Sequence, residues 1–538
     1  MIREPVCVFP ADDSIPQEHR PGPGIEQRGY LCNGEIRQWD GPLQDVLSPI
    51  CTPAPALERR RIGGYPLLTG KEALEALDAA CASQDGGRGE WPTMPVEGRI
   101  ARLAGFASRM TAVRDEVVRR MMWEIGKSLS DSRREFDRTV EYVRDTIEAV
   151  KDLDRASSRF VIEQGVIGQI RRAPLGVALC MGPFNYPLNE TFTTLIPALV
   201  MGNSVIFKPP KFGVLLHEPL LEAFRDSFPK GVVNTVYGDG RTVVGPLMES
   251  GRVDVLAFIG TSRVADTLRR QHPRPHRLRC VLGLEAKNAA IVLPDADLDL
   301  AVKECALGAL SFNGQRCTAI KMIFAHGSIA GEFLEKLSAE IDAMSAGMPW
   351  EDGVGITPLP EDGKVDAMKD LIGDAVEAGA RVVNPGGGES VGTLMKPAVV
   401  HPVGPGMRLY SEEQFGPVVP VASFDSIEEP LAWIAGSDYG QQVSIFGRDP
   451  RTVAALVDPL VNQVCRVNLN SQCQRGPDTF PFTGRKDSAE GTLSVTDALR
   501  VFTIRTLVAA KETDDNRSLL KRIVSERYSR FISTDFIF

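Results

Sequence analysis

A cysteine inside a turn of small and polar residues is the first candidate for chemistry in this chain. Cys317 stands at the centre of GALSFNGQRCTAIK, residues 308–321. Asn313 and Gly314 favour an unusual turn just before it, and an apolar run begins after Thr318. A thiol at the mouth of a turn can act as a nucleophile once it ionises. On this stretch alone, a buried structural cysteine is an equally supported alternative.

Length and composition bound the classes of protein to consider. A chain of 538 residues, 43% hydrophobic and 24% charged, is typical of a globular protein with two or three domains. The net charge of −9 argues against nucleic acid or an anionic membrane as the main partner. The ten cysteines include no C-x-x-C pair, which favours free thiols in a reducing cytoplasm and indicates no metal site.

Neither a signal peptide nor a membrane span is expected. The first residues, MIREPVCVFPADDS, lack a long apolar region. The most apolar segment, residues 176–202, is interrupted by Asn185, Asn189, Glu190 and three prolines. We therefore expect a cytoplasmic protein.

Alternating strand and helix patterns predict two α/β units. The first has strand candidates at 176–181, 204–208, 232–237 and 255–259, separated by helical stretches at 190–201, 217–227 and 242–250. Such alternation predicts a parallel sheet with right-handed crossovers and a ligand site at the carboxyl ends of its strands. A second series spans residues 289–465, with strands near 290–293, 322–324 and 418–424.

The flanking regions are less regular. Residues 1–66 are rich in proline and glycine and predict an irregular arm, whereas Thr69 and Glu72 form a capping box that starts a helix. A long helical region at 96–154 carries Arg133, Arg134, Arg138 and Arg144, most of which we expect on a solvated face. A hairpin is expected at 160–170, another β-rich stretch at 493–510, and a charged tail after it.

A glycine-rich fingerprint for a dinucleotide is incomplete. Gly238 and Gly240 follow a predicted strand, but the next glycine is Gly245, so the G-x-G-x-x-G spacing fails. An ordinary turn explains these glycines equally well.

Five short motifs, in order, resemble the aldehyde dehydrogenase superfamily over roughly residues 66–510. They are GPFNYP at 182–187, FKPP at 207–210, FIGTS at 258–262, NGQRC at 313–317 and EEQFGPV at 412–418. The resemblance implies an α/β fold with a Rossmann-type cofactor domain, an α/β catalytic domain and a small oligomerisation β-sheet, assembled as a homodimer or a homotetramer. The implied division is an arm at 1–66, a cofactor domain at 67–159 and 172–283, a catalytic domain at 284–480, the oligomerisation sheet at 160–171 and 490–512, and a tail at 513–538.

The resemblance also implies a reaction. The Cys317 thiolate attacks an aldehyde, and the Cys317 backbone N–H with the Asn185 amide stabilises the resulting oxyanion. Hydride transfer then leaves a thioester for water to hydrolyse. A Cys–His enzyme is the less favoured alternative, because none of the six histidines lies in a protease-like or acyltransferase-like motif.

Cofactor contacts carry over from the same motifs. Lys208 is implied to contact the adenosine ribose, Glu413 the nicotinamide ribose, and Gly260 with Thr261 the pyrophosphate at a helix start. Pro183, Phe184 and Phe415 are implied to line the cleft. NAD-preferring relatives carry a glutamate at the position of Lys211, so two nearby lysines favour NADP, with NAD as the alternative.

A narrower resemblance concerns the substrate. The NYP, FNGQRC and CQRGPDTFPF stretches are similar to those of non-phosphorylating, NADP-dependent glyceraldehyde-3-phosphate dehydrogenases. Their substrate phosphate is held by residues that match Arg138, Tyr186, Arg316 and Arg475, and arginine forks suit a phosphoryl group. Plain structural roles are also open to three of them: a helix-face ion pair for Arg138, core packing for Tyr186 and a loop salt bridge for Arg475. Another acidic aldehyde, such as a semialdehyde, is the alternative substrate.

One position departs from the family. Most members place a glutamate base where this chain has Gly283, and the nearest carboxylate is Glu285, two residues later. Glu285 is either the replacement base or a structural partner of a neighbouring cation. Coenzyme A or phosphate as acyl acceptor, and a catalytically silent assembly protein, are the remaining alternatives.

Overall fold

The computed structural model of this chain describes residues 9–53 and 57–535. The first eight residues of the expected arm, with Cys7, and the last three of the expected tail lie outside the described residues. No helix in the described part of the chain is both long and apolar enough to cross a membrane.

The N-terminal arm is not irregular, and that prediction is wrong. It forms five strands: β1 (Ile25–Glu26), β2 (Gly29–Cys32), β3 (Glu35–Gln38), β4 (Leu43–Thr52) and β5 (Glu58–Pro66). β4 and β5 pair antiparallel with two breaks in register, and β1 joins β5 in parallel. The pairing requires close backbone approach, since a Cβ on Gly63 would lie 2.3 Å from the Ile25 carbonyl oxygen. Glycines and broken register hide the two-residue period of these strands.

Five helices follow the arm. They are α1 (Gly70–Gln84), α2 (Glu90–Thr93), α3 (Val96–Ala112), α4 (Arg114–Ile125) and α5 (Leu129–Ser157). The capping box of Thr69 and Glu72 is confirmed at the start of α1. Gly126, in the left-handed region, ends α4, and Ser128 caps α5, so Lys127 is fixed in a short link between two helices.

A three-stranded sheet lies beside the helices. Its strands are β6 (Phe160–Glu163), β7 (Val166–Pro174) and, from the C-terminal region, β25 (Thr503–Lys511), in the antiparallel order β25-β7-β6. The predicted hairpin at 160–170 is confirmed. Residues 495–501, however, are helical, so only part of the stretch at 490–512 is a strand.

The first α/β unit matches its sequence pattern closely. It contains β8 (Val177–Met181), α6 (Asn189–Val200), β9 (Ser204–Lys208), α7 (Leu221–Ser227), β10 (Val233–Thr235), α8 (Gly240–Glu249), β11 (Val255–Ile259), α9 (Ser262–Gln271) and β12 (Arg279–Gly283). Its sheet has the order β10-β9-β8-β11-β12-β24, parallel except for the edge strand β24 (Ala489–Glu490). Helices cover these buried strands, which explains their continuous apolar runs.

The second α/β unit carries a seven-stranded sheet. Its order is β15-β18-β19-β14-β13-β21-β22, and only β15 is antiparallel. The strands are β13 (Asn288–Val292), β14 (Ile320–His326), β15 (Arg381–Val382), β18 (Ala398–His401), β19 (Val418–Phe424), β21 (Gln442–Phe446) and β22 (Arg466–Leu469). Short strands outside this sheet are β16 (Ser390–Val391), β17 (Leu394–Met395), β20 (Tyr439–Gly440) and β23 (Arg485–Lys486). The helices of this unit are α10 (Leu298–Leu310), α11 (Ala330–Asp342), α12 (Lys364–Glu377), α13 (Arg408–Ser411), α14 (Glu428–Gly436) and α15 (Pro450–Leu460). The next helix, α16 (Val495–Val501), packs instead against α5 and α6.

The C-terminal tail folds back on the three-stranded sheet. It forms helix α17 (Asp514–Ser525), and the chain after it returns to β7. The Gln169 side chain donates to the Ser533 carbonyl at 2.5 Å and accepts the Ser533 N–H at 3.2 Å. The tail therefore has defined structure that its charged composition did not predict.

Candidate active site

The predicted turn before Cys317 is present and strongly constrained. Phe312, Asn313 and Gly314 all have positive φ, at 48°, 57° and 72°. A Cβ on Gly314 would lie 2.6 Å from the Gly416 carbonyl oxygen, so only glycine fits there. The Asn313 amide exchanges two hydrogen bonds with Thr357, at 3.1 Å and 2.9 Å. The turn therefore holds Cys317 in place just before β14.

The surroundings of the thiol act on it in opposite directions. Burial raises the pKa of Cys317, while the Lys321 charge and a hydrogen bond from Gln441 lower it. Lys321 lies four residues after Cys317, in β14, and its Nζ donates to the Cys317 carbonyl at 3.3 Å. Asn288 Nδ2 donates to the same carbonyl at 2.7 Å, which fixes the backbone of the nucleophile.

Asn185 lies against the nucleophile segment. Its side chain is buried, and Nδ2 donates to the Gln315 carbonyl at 2.7 Å, two residues before Cys317. An amide nitrogen carries two hydrogens, so one remains for an oxyanion. The structure thus brings together the two residues from which the sequence predicts an oxyanion site.

Two further residues, Lys127 and Glu135, support Asn185 and were missed in the sequence. The Lys127 side chain is 1% exposed and the Glu135 side chain 0% exposed, and they form an ion pair of 2.5 Å. Lys127 Nζ also donates to the Asn185 carbonyl at 2.9 Å. The sequence feature that could have indicated them is a lysine placed directly between a glycine that ends one helix and a serine that caps the next.

Residues predicted for the nicotinamide end of the cleft lie together. Glu413 Oε1 accepts a hydrogen bond from the Ala286 N–H at 3.1 Å and forms an ion pair with Lys321. Its Oε2 has no donor among the described residues. The Phe415 and Phe184 rings meet edge to face at 5.8 Å. Pro183, next to Phe184 in the chain, is partly buried.

The Glu285 carboxylate binds the start of a helix, which is the structural role that the sequence left open beside that of a base. Its Oε2 accepts the Ser262 N–H at 2.8 Å, at the start of α9. Thr261 caps that helix, and Gly260 precedes it. The free N–H groups and positive end of a helix attract a carboxylate. Glu285 lies in the link between β12 and β13 and not in a strand.

Position 283 offers no carboxylate either. Gly283 ends β12, and a Cβ there would meet Ile259 Cγ1 at 3.3 Å and Leu493 Cδ1 at 3.4 Å. These neighbours are apolar. The structure therefore provides no substitute for the usual base at that position.

Lys208 and Lys211 lie near the end of β9. Burial lowers the pKa of Lys208 to about 8, and its closest polar contact is the Pro209 carbonyl at 3.4 Å. Lys211 is more exposed, with Nζ 3.7 Å from an Asp362 carboxylate oxygen. Neither lysine makes a short ion pair, because the Pro209 carbonyl and the Asp362 carboxylate are both long contacts.

Two of the four predicted phosphate ligands are neutralised by carboxylates. Arg138 forms a bidentate ion pair with Asp478, with Nε to Oδ2 at 2.7 Å and Nη2 to Oδ1 at 2.6 Å. Arg475 is 6% exposed and pairs with Glu190 and Asp478, and its third nitrogen donates to the Leu493 carbonyl. Burial lowers the pKa of Arg475 to about 10. Every nitrogen of Arg475 is therefore already used within the protein.

The other two predicted phosphate ligands, Arg316 and Tyr186, are chain neighbours of Cys317 and Asn185. Arg316 directly precedes Cys317; one of its terminal nitrogens donates to the Gly308 carbonyl at 2.8 Å, but its buried Nε has no partner among the described residues. The Tyr186 ring follows Asn185 and covers Lys127 Nζ at 3.4 Å. Arg138 lies close to Tyr186. Burial lowers the pKa of Arg138, but the hydrogen bonds to Asp478 and the nearby Tyr186 outweigh burial, so the pKa is raised overall.

Comparisons with known proteins agree with this geometry. The profile of the aldehyde dehydrogenase family matches residues 47–508. The NADP-dependent glyceraldehyde-3-phosphate dehydrogenase of Streptococcus equinus is 33% identical, over 83% of this chain and 95% of that protein. The malonate-semialdehyde dehydrogenase of Listeria monocytogenes is 29% identical, over 81% of this chain and 89% of that protein.

A solved structure supports the same assignment. The NADP-dependent glyceraldehyde-3-phosphate dehydrogenase of Bacillus halodurans C-125, complexed with NADP, superposes with a TM-score of 0.82 at 30% identity, covering 91% of this chain and all of the other. The matched region includes the nucleophile turn, the Asn185 segment and both α/β sheets. The chain belongs to the aldehyde dehydrogenase family.

Proposed function

We propose that this protein oxidises glyceraldehyde 3-phosphate to 3-phosphoglycerate, with NADP as the hydride acceptor. The observation that carries the substrate is the buried Nε of Arg316, next to Cys317, which has no hydrogen-bond partner in the part of the chain that the structure describes. A buried donor without a partner is costly, so a shift of the guanidinium away from the Gly308 carbonyl to bind a substrate anion would satisfy it. The names of the relatives from Streptococcus equinus and Bacillus halodurans support the same substrate and cofactor.

The chain's own groups account for the first half of the reaction. The Cys317 thiolate attacks the aldehyde carbon to form a thiohemiacetal. The second hydrogen on Asn185 Nδ2 and the Cys317 N–H donate to its oxyanion. Arg138, Tyr186 and Arg316 bind the phosphate, while Arg475 holds Asp478 in position behind Arg138.

The residues of the cleft fit the nicotinamide end of NADP, which supplies the hydride acceptor when bound. Glu413 Oε2, which accepts from none of the described residues, suits the ribose, and Pro183, Phe184 and Phe415 line the cleft. Lys208 and Lys211 suit a 2′-phosphate, since phosphate gains charge-assisted bonds from them.

The pyrophosphate end fits only if Glu285 moves. Gly260 and Thr261 precede the start of α9, where N–H groups suit an anion, but the Glu285 carboxylate takes the Ser262 N–H. Two anions cannot share that donor. We therefore expect Glu285 to leave α9 when the cofactor binds, and its place as a base in the reaction stays a proposal to be tested by kinetics.

A semialdehyde bearing a carboxylate is the second candidate substrate. Asp478 and Glu190 offset the charges of Arg138 and Arg475, which leaves less positive charge than a phosphoryl dianion would use. A carboxylate carries one charge and needs less. The malonate-semialdehyde dehydrogenase relative supports this alternative.

One assay separates the substrates. NADPH formation is followed by absorbance with glyceraldehyde 3-phosphate or malonate semialdehyde, without inorganic phosphate and with or without coenzyme A. We expect the higher kcat/KM with glyceraldehyde 3-phosphate and no need for coenzyme A. Preference for the semialdehyde, or turnover only with coenzyme A, would overturn the proposed substrate or the proposed hydrolysis.

The cofactor preference has its own test. Replacing Lys211→Glu puts a negative charge where a 2′-phosphate is expected, and should shift kcat/KM from NADP towards NAD by about tenfold or more. The dissociation constant of each nucleotide, measured by fluorescence quenching, should shift in the same sense. Lys336→Glu, on the exposed face of α11, is the matched control. A wild-type preference for NAD would contradict the proposal.

We also propose a homodimer or homotetramer in the cytoplasm. The outer face of the three-stranded sheet exposes Val161, Ile170 and Leu507, to 54%, 37% and 55%. Register places these side chains on one face, and such an apolar patch favours self-association. The nine described cysteines are free, which suits a reducing compartment. Light scattering of wild type and Leu507→Asp tests the assembly, which the variant should weaken.

A further inference from the structure

We propose that Lys127 and Glu135 form a positioning pair that orients the oxyanion donor Asn185 and the neighbouring Tyr186 for catalysis. The inference rests on the proposed aldehyde oxidation. It assigns a role to two buried charges whose side-chain hydrogen bonds, among the described residues, go to each other and to residues 185, 188 and 189. Most of their contacts converge on the segment of residues 185–189.

The three hydrogens of the Lys127 ammonium all have a use. One bonds Glu135 Oε2 at 2.5 Å and another the Asn185 carbonyl at 2.9 Å. The Tyr186 ring lies 3.4 Å from Nζ, close enough for a cation–π contact, and the Phe312 ring lies at 4.6 Å. Phe312 belongs to the turn before Cys317. Lys127 thus touches both segments of the active site from behind.

Glu135 fixes the other end of the same segment. Its Oε1 accepts the N–H groups of Leu188 and Asn189, each at 3.0 Å, at the start of α6. A carboxylate there satisfies free N–H groups and complements the helix dipole. Asn185 is therefore held between Lys127, which binds its carbonyl, and the Gln315 carbonyl, which accepts from its amide.

The pair sits on rigid supports. Lys127 lies between Gly126 and Ser128, and its carbonyl accepts from the Ser132 hydroxyl at 3.3 Å. A Cβ on Gly126 would lie 2.3 Å from the Pro358 carbonyl oxygen, so the link cannot easily shift. Glu135 stands two turns into α5. Burying two charges costs free energy that their attraction does little more than offset, so stability alone does not explain the pair.

The test is a double-mutant cycle on the first turnover. The variant Lys127→Met with Glu135→Gln removes both charges together and leaves none buried alone. We expect it to slow the burst of NADPH about 10- to 100-fold. Asn185→Ala alone should slow the burst roughly 100- to 1,000-fold. Because the pair acts through Asn185, the combined variant should be no more than about threefold slower than Asn185→Ala.

The result that would overturn the inference is multiplication of the two losses, or no loss from the pair variant. Lys127→Arg keeps the charge but places a planar fork in the site, so it serves in the same cycle if the neutral pair does not fold. Arg120→Met, which removes a largely buried cation that pairs with Glu116 and Glu218, is the control and should leave the burst unchanged. NADP affinity should be the same in all variants.

A second readout needs no substrate and separates this inference from the proposed function. In the pair variant, hydrogen–deuterium exchange of residues 185–189 should speed up while exchange in β8 and β9 stays as in wild type. Unchanged protection of residues 185–189 would refute the positioning role whatever aldehyde the enzyme oxidises. A wild-type enzyme that oxidises no aldehyde, with the predicted exchange, would refute only the proposed function.

Discussion

The oxyanion side of the active site and the deacylation side are built very differently. Around Asn185 and Cys317, buried groups hold each donor with short hydrogen bonds. On the other side, Gly283 offers no acid, and Glu285 is bound to the start of α9. The first half-reaction therefore has a prearranged site, whereas the second lacks a carboxylate where the family usually keeps one. We infer that acylation is fast and deacylation slow in this enzyme.

Removing the nucleophile should have the largest effect. Cys317→Ser should lower aldehyde oxidation by at least about 1,000-fold, because a serine hydroxyl at this turn ionises far less readily than a thiol. NADP binding, measured by fluorescence quenching, should be retained. Near-normal turnover would contradict the assignment. Cys305→Ser, a buried thiol inside α10, is the control and should keep most activity.

The thiol itself should show the effect of its surroundings. Burial raises the pKa of Cys317, so in the enzyme without cofactor the rate of alkylation by iodoacetamide should keep rising with pH beyond the ordinary range of a cysteine. Lys321→Met removes the charge that opposes this rise and should move the midpoint to still higher pH. Lys336→Met, at a half-exposed lysine that pairs with Asp299, is the control. A midpoint near neutral pH in wild type would contradict the account of the acylation side.

The arginines sharpen the comparison within the acylation side. Arg316→Ala should raise KM for glyceraldehyde 3-phosphate by about 10- to 100-fold, because one charged hydrogen bond is worth roughly 1.5–3 kcal/mol. A small unphosphorylated aldehyde should be little affected. Arg475→Ala should instead lower the thermal midpoint and damage both substrates, since Arg475 is bound to Glu190, Asp478 and Leu493. The reverse pattern would make Arg475 the phosphate ligand.

Glu285→Gln should have the smallest effect on turnover. If Glu285 is a helix partner rather than a base, the steady rate should change by no more than about threefold. NADP should bind more tightly, because a neutral amide competes less with pyrophosphate for the Ser262 N–H. Glu490→Gln, whose carboxylate pairs with Arg269 on the same helix, is the control. A preserved burst with a collapsed steady rate would restore Glu285 as the base.

Much of the fold could be predicted because buried parallel strands are continuous apolar runs. β9, β11 and β19 have the predicted bounds. The strands of the N-terminal arm could not be predicted, because two breaks in the register of β4 with β5 interrupt the alternation that marks a strand in a sequence. The C-terminal tail was missed because the partners of its backbone, at Gln169 and Arg171, are remote in sequence.

The site shows the same division between local and remote information. The turn at Asn313 and Gly314 follows from residue types that tolerate positive φ. The pair of Lys127 and Glu135 does not, because a separation of eight residues across a helix start fixes no contact. The sequence located the start of α9 correctly. It did not show that the Glu285 side chain would bind there, because that contact depends on how α9 and the segment after β12 are placed in the fold.

The most direct test of the difference between the two halves is the state of Cys317 during turnover. The wild-type enzyme is quenched with acid while it converts glyceraldehyde 3-phosphate with NADP at saturation, and the intact chain and its peptides are weighed. We predict that most chains carry the phosphoglyceroyl group on Cys317, because the thioester forms faster than it is hydrolysed. Chains that are almost all unmodified in the steady state would contradict the account.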